Sequence, residues 1–227
     1  IVMMLLIYIS MRSSHQAGRG IAIIFKGALY QMIRRLQVWL QRNRSQISGT
    51  DWRPSFLAIS GQTFERIATI HIAAFDLLSW IAHRHGFGTY FHYIEGRLDK
   101  KTRQQAKHDL ERVIKLTDAA KAGVYASTII SPAFTTAVTQ IIQVPGVSGM
   151  DNNGVILEFP RDQIENEQVL RNLHTGVRMA LTAEFNVCVL RSSEYRCGYK
   201  SSIHLWLTRL QLSNANLMIL LAYIIMG

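Results

Sequence analysis

Short apolar runs alternate with helical stretches along most of this chain, from residue 55 to residue 207. The runs are four to eight residues long and rich in β-branched and aromatic residues, as strands are. The predicted strands are residues 55–60, 87–94, 124–130, 155–159, 187–190 and 203–207. Most of the stretches between them carry apolar residues at helical spacings of three and four. This alternation predicts βαβ units, and therefore an α/β fold with a mostly parallel sheet and helices on both faces.

The end of the chain departs from this alternation. No helical stretch separates residues 187–190 from residues 203–207, so we expect a hairpin and an antiparallel edge there. Residues 214–226 are predicted to form a buried helix, with Ser213 or Asn214 as its N-cap.

The first 50 residues have an unusual charge distribution. Residues 1–9 are nine apolar residues without a charge, too few to span a bilayer. Residues 1–50 hold seven basic and no acidic residues, whereas the remainder holds 18 basic and 15 acidic residues. Cytoplasmic segments next to a membrane helix carry this basic bias. Residues 1–9 are then either a buried strand or the cytoplasmic end of a transmembrane helix.

Residues 21–41 predict an amphipathic helix ahead of the sheet domain. Its apolar side is a candidate dimer interface made of Phe25, Leu29, Met32, Leu36 and Trp39. Basic side chains near it are candidates for contact with anionic lipid head groups: Arg34, Arg35, Arg42 and Arg44. A nucleic-acid arm would interleave base-stacking aromatics with the charges, and Tyr30 and Trp39 instead lie on an apolar helical face. We therefore expect an anionic membrane surface as a partner, and no nucleic acid.

Known catalytic, metal and cofactor patterns are not evident, and we expect none of the three. His83 and His85 point about 200° apart on a helix, so they do not share one ion. Cys188 and Cys197 have no CxxC spacing and are expected to be reduced thiols. The glycine-rich residues 146–154 follow a predicted helix and lead into a strand, the reverse of a phosphate loop. They are expected to form a turn in which glycines supply positive φ.

Four segments together resemble the C-terminal cytoplasmic domain of the cation-chloride cotransporters. Tyr8-Ile-Ser-Met-Arg12 resembles the exit of that family's last transmembrane helix, and Asp51-Trp-Arg-Pro54 with the strand after it resembles the opening of its soluble domain. Gly146-Val-Ser-Gly149-Met150 with the following Asn153 resembles its GLG-M-x-x-N segment. Ile203-His-Leu-Trp206 and the later Leu217–Tyr223 resemble its IDVWW and LLLPYLL pair.

The resemblance implies a fold related to the universal stress proteins, a second α/β subdomain beyond Gly227, and dimerisation. The domains expected are residues 1–11, the end of a transmembrane helix or a buried apolar segment, and 12–50, a basic membrane-proximal helix and linker. An α/β cytoplasmic subdomain covers 51–212, and 213–227 form a helix leading into the second subdomain. The implied function is a non-enzymatic regulatory and dimerisation domain of a secondary-active cotransporter of Na⁺ or K⁺ with Cl⁻. Its partners are its own transmembrane domain, a second copy and an anionic membrane surface, at the cytoplasmic face of the cell membrane.

The alternative function is a nucleotide-sensing module of universal-stress type. Universal stress proteins that bind ATP carry a GxxG, a nine-residue spacer and a Gly-Ser step. Nine residues after Gly149, this chain has Phe159-Pro160, so that signature is absent.

Overall fold

The computed structural model describes residues 19–43, 52–60, 73–84, 86–119, 123–147, 151–160, 166–192 and 202–227. Its chain divides into two compact units, one of residues 1–51 with 148–150 and the other of residues 52–147 with 151–227. Residues 1–11, with the apolar run 1–9, and residues 61–72 after the first strand lie outside the described residues.

The described part of the first unit is one helix, α1 (Arg19–Arg42). It extends the predicted 21–41 helix by two residues at the start and one at the end. Asn43 closes its C-terminus, because its backbone N–H and its side-chain Nδ2 both donate to the carbonyl of Trp39, at 3.0 Å and 2.9 Å. Arg42 lies in the last turn, where a cation interacts favourably with the helix dipole.

The second unit is built on a five-stranded parallel sheet. Its strands are β1 (Ser55–Ser60), β2 (Phe87–Glu95), β3 (Val124–Ser131), β4 (Gly154–Pro160) and β5 (Asn186–Ser192). Its helices are α2 (Ala73–Ala82), α3 (Lys100–Ala119), α4 (Phe134–Ile141), α5 (Glu167–Thr182) and α6 (Ala215–Met226), with a 3₁₀ turn (Arg209–Asn214) before α6. The strand order is β3-β2-β1-β4-β5. The predicted α/β fold with helices on both faces is confirmed.

Strand order decides which helices cover which face. The chain runs outward from β1 to β3 and then returns to β4 and β5, so right-handed crossovers place α2 and α3 on one face and α4 and α5 on the other. On the first face Phe56, Ala58 and Ile156 pack with Phe75 and Leu78 of α2. On the second face the core is Leu57, Ile59, Val155 and Leu157 with Val138 and Ile141 of α4. The central strands β1 and β4 are therefore buried on both sides, which explains their continuous apolar sequences.

The expected antiparallel edge is wrong. In the described part of the chain every strand pair is parallel, and residues 203–207 belong to no strand. Their side chains are exposed, with Trp206 81% exposed. An alternating apolar sequence forms a strand only where it can pair with a neighbouring strand. The β propensity of residues 203–207 is therefore not sufficient by itself.

The expectation of a buried final helix is also wrong. Leu221 and Ile225 of α6 pack on the cluster around α2, but α6 has no fully buried residue, and Ile219 and Tyr223 are exposed. A helix that is apolar all round buries only the side that has a neighbour. Asn214 sits at its N-cap position with helical backbone angles and forms no capping hydrogen bond, because the 3₁₀ turn runs directly into the helix.

Candidate functional site

The predicted apolar stripe of α1 is exposed. Leu29, Met32, Leu36 and Trp39 are 40–60% exposed, and Phe25 is half-buried. They recur at steps of four and three residues, which places them on one side of a helix that turns about 100° per residue. The structure thus brings the candidate dimer residues together on one accessible face.

The predicted lipid-contact arginines lie outside this stripe. Arg34, Arg35 and Arg42 are exposed, and Arg44 lies outside the described residues. Arg35 and Arg42 are seven residues apart and share one side of α1, whereas Arg34 lies about 100° from Arg35. The helix therefore combines an apolar side with basic flanks, the arrangement found in helices that lie at a membrane interface. Among the described helices, none is both long enough and apolar enough to cross a membrane.

The glycine- and asparagine-rich loop before β4 is structural where it is described. Asn153 Oδ1 accepts from the Ser55 backbone N–H at 3.0 Å, and Asn152 Oδ1 accepts from the Ser55 hydroxyl at 3.1 Å. Asn186 donates to the Asn153 carbonyl from its backbone at 2.9 Å and from its side chain at 2.8 Å. These bonds join the starts of β1, β4 and β5, at the edge opposite to the one where parallel sheets bind ligands.

The first residue of β4 is glycine because a side chain would not fit there, and not because the backbone needs a positive φ. A Cβ on Gly154 would overlap the ring of Phe56, and Gly154 does not have a positive φ. The positive-φ explanation expected for this loop is therefore wrong at Gly154, and Gly149 lies outside the described residues.

A polar layer lies at the carboxyl ends of the central strands, on the face covered by α2 and α3. Ser60 is opposite His92 in the ladder of β1 and β2. Ile59 is opposite Leu157 in the ladder of β1 and β4, so the next position brings Glu158 beside Ser60. We call Ser60, Tyr90, His92, Asp109 and Glu158 the carboxyl-edge cluster.

The imidazole of the cluster belongs to His92, which is 4% exposed. Burial, and secondarily the nearby positive charge of Arg112, lowers the pKa of His92 to about 4. Its Nε2 is 3.9 Å from Asp109 Oδ2 on α3, too long for a hydrogen bond. His92 is consequently neutral at neutral pH, and this contact is not an ion pair there.

Tyr90 lies two residues before His92 on the same face of β2. Burial raises the pKa of its phenol strongly, the carboxylate of Glu158 raises it further, and a hydrogen bond with Ser60 partly opposes the rise. Phe75 of α2 contacts the Tyr90 ring edge-on, with centroids 5.9 Å apart. Tyr90 therefore stays protonated and keeps a hydroxyl available for hydrogen bonding.

Chemically, the cluster combines a protonated phenol and a neutral imidazole with the carboxyl groups of Asp109 and Glu158. These groups suit hydrogen bonding to a polar ligand. Their position, beside the point where strand order reverses between β1 and β4, is where open α/β sheets bind ligands.

Sequence reasoning missed this cluster. The histidines to which the sequence drew attention were His83 and His85, as metal ligands. His83 is exposed, His85 lies outside the described residues, and no group of three metal-binding side chains forms within the described ranges. The useful signal was that Ser60, His92 and Glu158 are polar residues near the ends of otherwise apolar strands.

Cys188 of β5 packs at the edge of the α2-side core, and burial raises the pKa of its thiol. A thiol with a raised pKa is a poor nucleophile at neutral pH. Cys197 lies outside the described residues.

No protein-family model matches this chain, and no curated protein sequence matches it significantly. The resemblance to the cation-chloride cotransporter domain therefore rests on the four sequence segments alone.

Proposed function

We propose that this chain is a non-enzymatic cytosolic domain that regulates and dimerises a secondary-active cotransporter of Na⁺ or K⁺ with Cl⁻. It would act at the cytoplasmic face of the cell membrane. Its partners would be its own transmembrane domain, a second copy of the chain and the anionic membrane surface, with no role in nucleic-acid binding.

The fold is compatible with this proposal. The resemblance implies an α/β domain related to the universal stress proteins, and the chain has a doubly wound parallel sheet. Such sheets serve many functions, so the fold alone does not select this one.

The observation that carries the proposal is the exposed amphipathic helix α1. Its apolar stripe and its arginines are accessible at the same time. The apolar stripe suits a second copy, and the arginines suit lipid head groups. Domains attached to one membrane meet at effective concentrations in the mM range, so a modest interface is sufficient for association.

Sedimentation equilibrium of the full chain tests dimerisation through α1. We expect a dimer that dissociates more readily in Leu36→Asp and in Trp39→Ala, because each change removes apolar contact from the stripe. Val38→Asp is the matched control: Val38 is an exposed apolar residue on the opposite side of the same helix. A monomer mass persisting to about 1 mM, the concentration that tethered domains reach, would contradict the dimer. Equal weakening by Val38→Asp would place the interface elsewhere.

Nucleotide sensing is the second candidate, and the carboxyl-edge cluster favours it. The cluster places buried polar groups at the strand ends where doubly wound sheets bind ligands. The ATP signature of universal stress proteins is absent from the sequence, so any recognition would depend on other residues.

Thermal unfolding with ATP, ADP and AMP distinguishes the two candidates. A ligand at one hundred times its Kd stabilises the folded state by about 2.7 kcal/mol. A concentration-dependent rise in Tm that is lost in Tyr90→Phe would favour the nucleotide module. Unchanged unfolding with all three nucleotides would leave the transporter domain as the better proposal.

A further inference from the structure

The apolar stripe of α1 runs between two basic flanks. At about 100° of rotation per residue, the five stripe residues all lie within about 40° of Phe25 around the helix axis. Lys26 lies about 100° to one side of the stripe, and Arg35 and Arg42 lie about 80–100° to the other side. All three basic side chains are exposed. The sequence of α1 contains no acidic residue that would neutralise either flank.

The adjacent residues Arg34 and Arg35 occupy different positions relative to the stripe. Both side chains are exposed, but Arg34 lies about 180° from the stripe, on the far side of the helix. A helix at a membrane interface buries its apolar face about 5–10 Å into the boundary between head groups and acyl chains. In that orientation Arg35 and Arg42 reach the head groups, whereas Arg34 points away from the bilayer.

A second copy of the chain would cover the same stripe under less favourable electrostatics. Because α1 has no acidic residue, packing two stripes together brings basic flanks next to basic flanks, whether the two helices run parallel or antiparallel. Like charges in such a position oppose association. An anionic lipid surface instead attracts both flanks. Charge complementarity therefore favours the bilayer over a second copy as the occupant of the stripe.

We propose that an anionic bilayer covers the apolar stripe of α1 and thereby displaces a second copy of the chain. The inference rests on the proposed function, which supplies both partners, and adds that one surface serves both of them. A stripe buried among acyl chains is not accessible to a second helix. The anionic lipid content of the membrane thus regulates dimerisation through α1.

Vesicle binding by the full chain at two protein concentrations tests the competition. If only the monomer binds, the apparent Kd for lipid equals the Kd of the monomer divided by the monomer fraction. Sedimentation equilibrium without vesicles first identifies a concentration at which about 90% of the chain is dimeric. There, at a low bound fraction, the apparent Kd for phosphatidylserine vesicles should be about tenfold higher than in a dilute, monomeric solution. Lipid is kept in large excess so that the vesicle surface does not fill.

Energy transfer between donor-labelled and acceptor-labelled copies of the full chain gives the reciprocal measurement. The transfer should fall as phosphatidylserine vesicles are added, in parallel with the bound fraction. Vesicles of phosphatidylcholine alone are the control, and they should leave the transfer unchanged because they do not attract the basic flanks.

Neutral variants of the stripe test whether both partners use it. Leu36→Asn should weaken the dimer and vesicle binding together. Val38→Asn is the matched control, because Val38 is an exposed apolar residue on the opposite side of α1, and it should weaken neither.

Arg34 and Arg35 provide a matched pair for the orientation of the helix on the bilayer. Arg35→Gln should weaken binding to phosphatidylserine vesicles about fivefold, as expected for loss of one basic residue near an anionic leaflet. Arg34→Gln should weaken it less than about twofold, because that side chain faces away from the lipid. Both variants remove one positive charge, so equal losses would overturn this orientation.

The outcomes separate a failure of the competition from a failure of the proposed function. An apparent lipid Kd that does not change with protein concentration, with energy transfer retained on vesicles, would overturn the competition and leave both partners in place. A chain that forms no dimer, or that does not bind anionic vesicles, would overturn the proposed function and the competition with it.

Discussion

At the scale of single residues, burial determines the protonation state of His92. The imidazole lies under α3, within 3.9 Å of Asp109, yet its pKa falls to about 4 because water is excluded. In the unfolded chain the same histidine titrates near its ordinary value of about 6.5. The difference links stability to pH.

We predict that His92 makes the fold less stable as pH falls from about 6.5 towards 4. In that range the unfolded chain takes up a proton that the folded chain does not. The stability that neutral His92 contributes is therefore fully present above the unfolded pKa and is lost as pH falls towards the folded pKa. A difference of about 2.5 pKa units corresponds to roughly 3 kcal/mol. Urea unfolding at several pH values measures this effect. His92→Gln should flatten the pH dependence, and the exposed His83→Gln should leave it unchanged; an equal slope in His92→Gln would contradict the prediction.

The turn after α5 carries the only non-glycine residue with positive φ in the described ranges, Glu184 at φ 61°. The Glu184 N–H donates to the Leu181 carbonyl and the Phe185 N–H to the Ala180 carbonyl, both at 3.0 Å. This is the pattern of a Schellman motif, in which glycine is the usual residue at the position of Glu184.

We predict that Glu184→Gly stabilises the fold by about 0.5–1 kcal/mol, because relief of the left-handed strain exceeds the added entropy of the unfolded chain. Glu184→Ala keeps the Cβ and should give little of this gain. The free energy of unfolding in urea separates the two variants. Equal stabilisation by alanine would show that loss of the charge, not of the Cβ, is responsible.

Gly154→Ala is predicted to destabilise the fold by about 1–3 kcal/mol, as overpacking of a core does. The new methyl group would overlap the Phe56 ring at the junction of β1 and β4. Gly123→Ala is the matched control, since a Cβ there meets nothing within 4 Å, and it should change stability by less than about 0.5 kcal/mol. If Gly154→Ala is as mild as the control, Phe56 can move aside.

At the scale of elements, α1 differs from the helices of the sheet domain. Its apolar residues are accessible, whereas α2 buries Phe75, Leu78 and Ile81 against the sheet. In proteins most of the stability of a helix comes from packing of its apolar face, so an exposed apolar stripe on α1 indicates a surface available for binding.

We predict that Arg35→Glu combined with Arg42→Glu weakens binding to phosphatidylserine vesicles at least about tenfold, because each basic residue near an anionic leaflet contributes about 1 kcal/mol. Binding should also weaken with added salt. Lys100→Glu with Lys101→Glu is the charge-matched control on exposed residues of α3. Vesicle flotation measures the bound fraction, and equal losses in both double variants would indicate only an effect of net charge.

At the scale of the whole molecule, the chain divides near residue 51. The hydrogen bonds that join β1, β4 and β5 all lie within residues 52–227. The core clusters on both faces of the sheet likewise involve only residues from this second unit.

We predict that a chain of residues 52–227 folds cooperatively and unfolds with nearly the same free energy as the full chain. It should lose vesicle binding and self-association, because α1 is removed. Urea unfolding, flotation and sedimentation equilibrium measure the three properties. Retained self-association would locate the interface on the second unit, and loss of cooperative unfolding would contradict the independence of that unit.

Local pattern alone was sufficient for the five strands of the sheet and for α1. Runs such as Ser55–Ser60 fill both faces of a central strand, and their apolar, β-branched sequence indicates this before any partner is known. The apolar spacing of α1 likewise predicts its helix to within two residues at either end. These features depend on the period of the backbone, which the sequence contains directly.

Tertiary structure decided what depends on residues distant in the chain. Residues 203–207 have a strand pattern but no ladder partner among the described residues. Helix α6 is apolar all round, but within the described part of the chain it packs on the core only through one side, which carries Leu221 and Ile225. The carboxyl-edge cluster arises because ladder register aligns Ser60, His92 and Glu158 across nearly 100 residues of sequence. Whether a polar side chain is buried and what lies opposite it are set by packing between elements, and no local pattern records that packing.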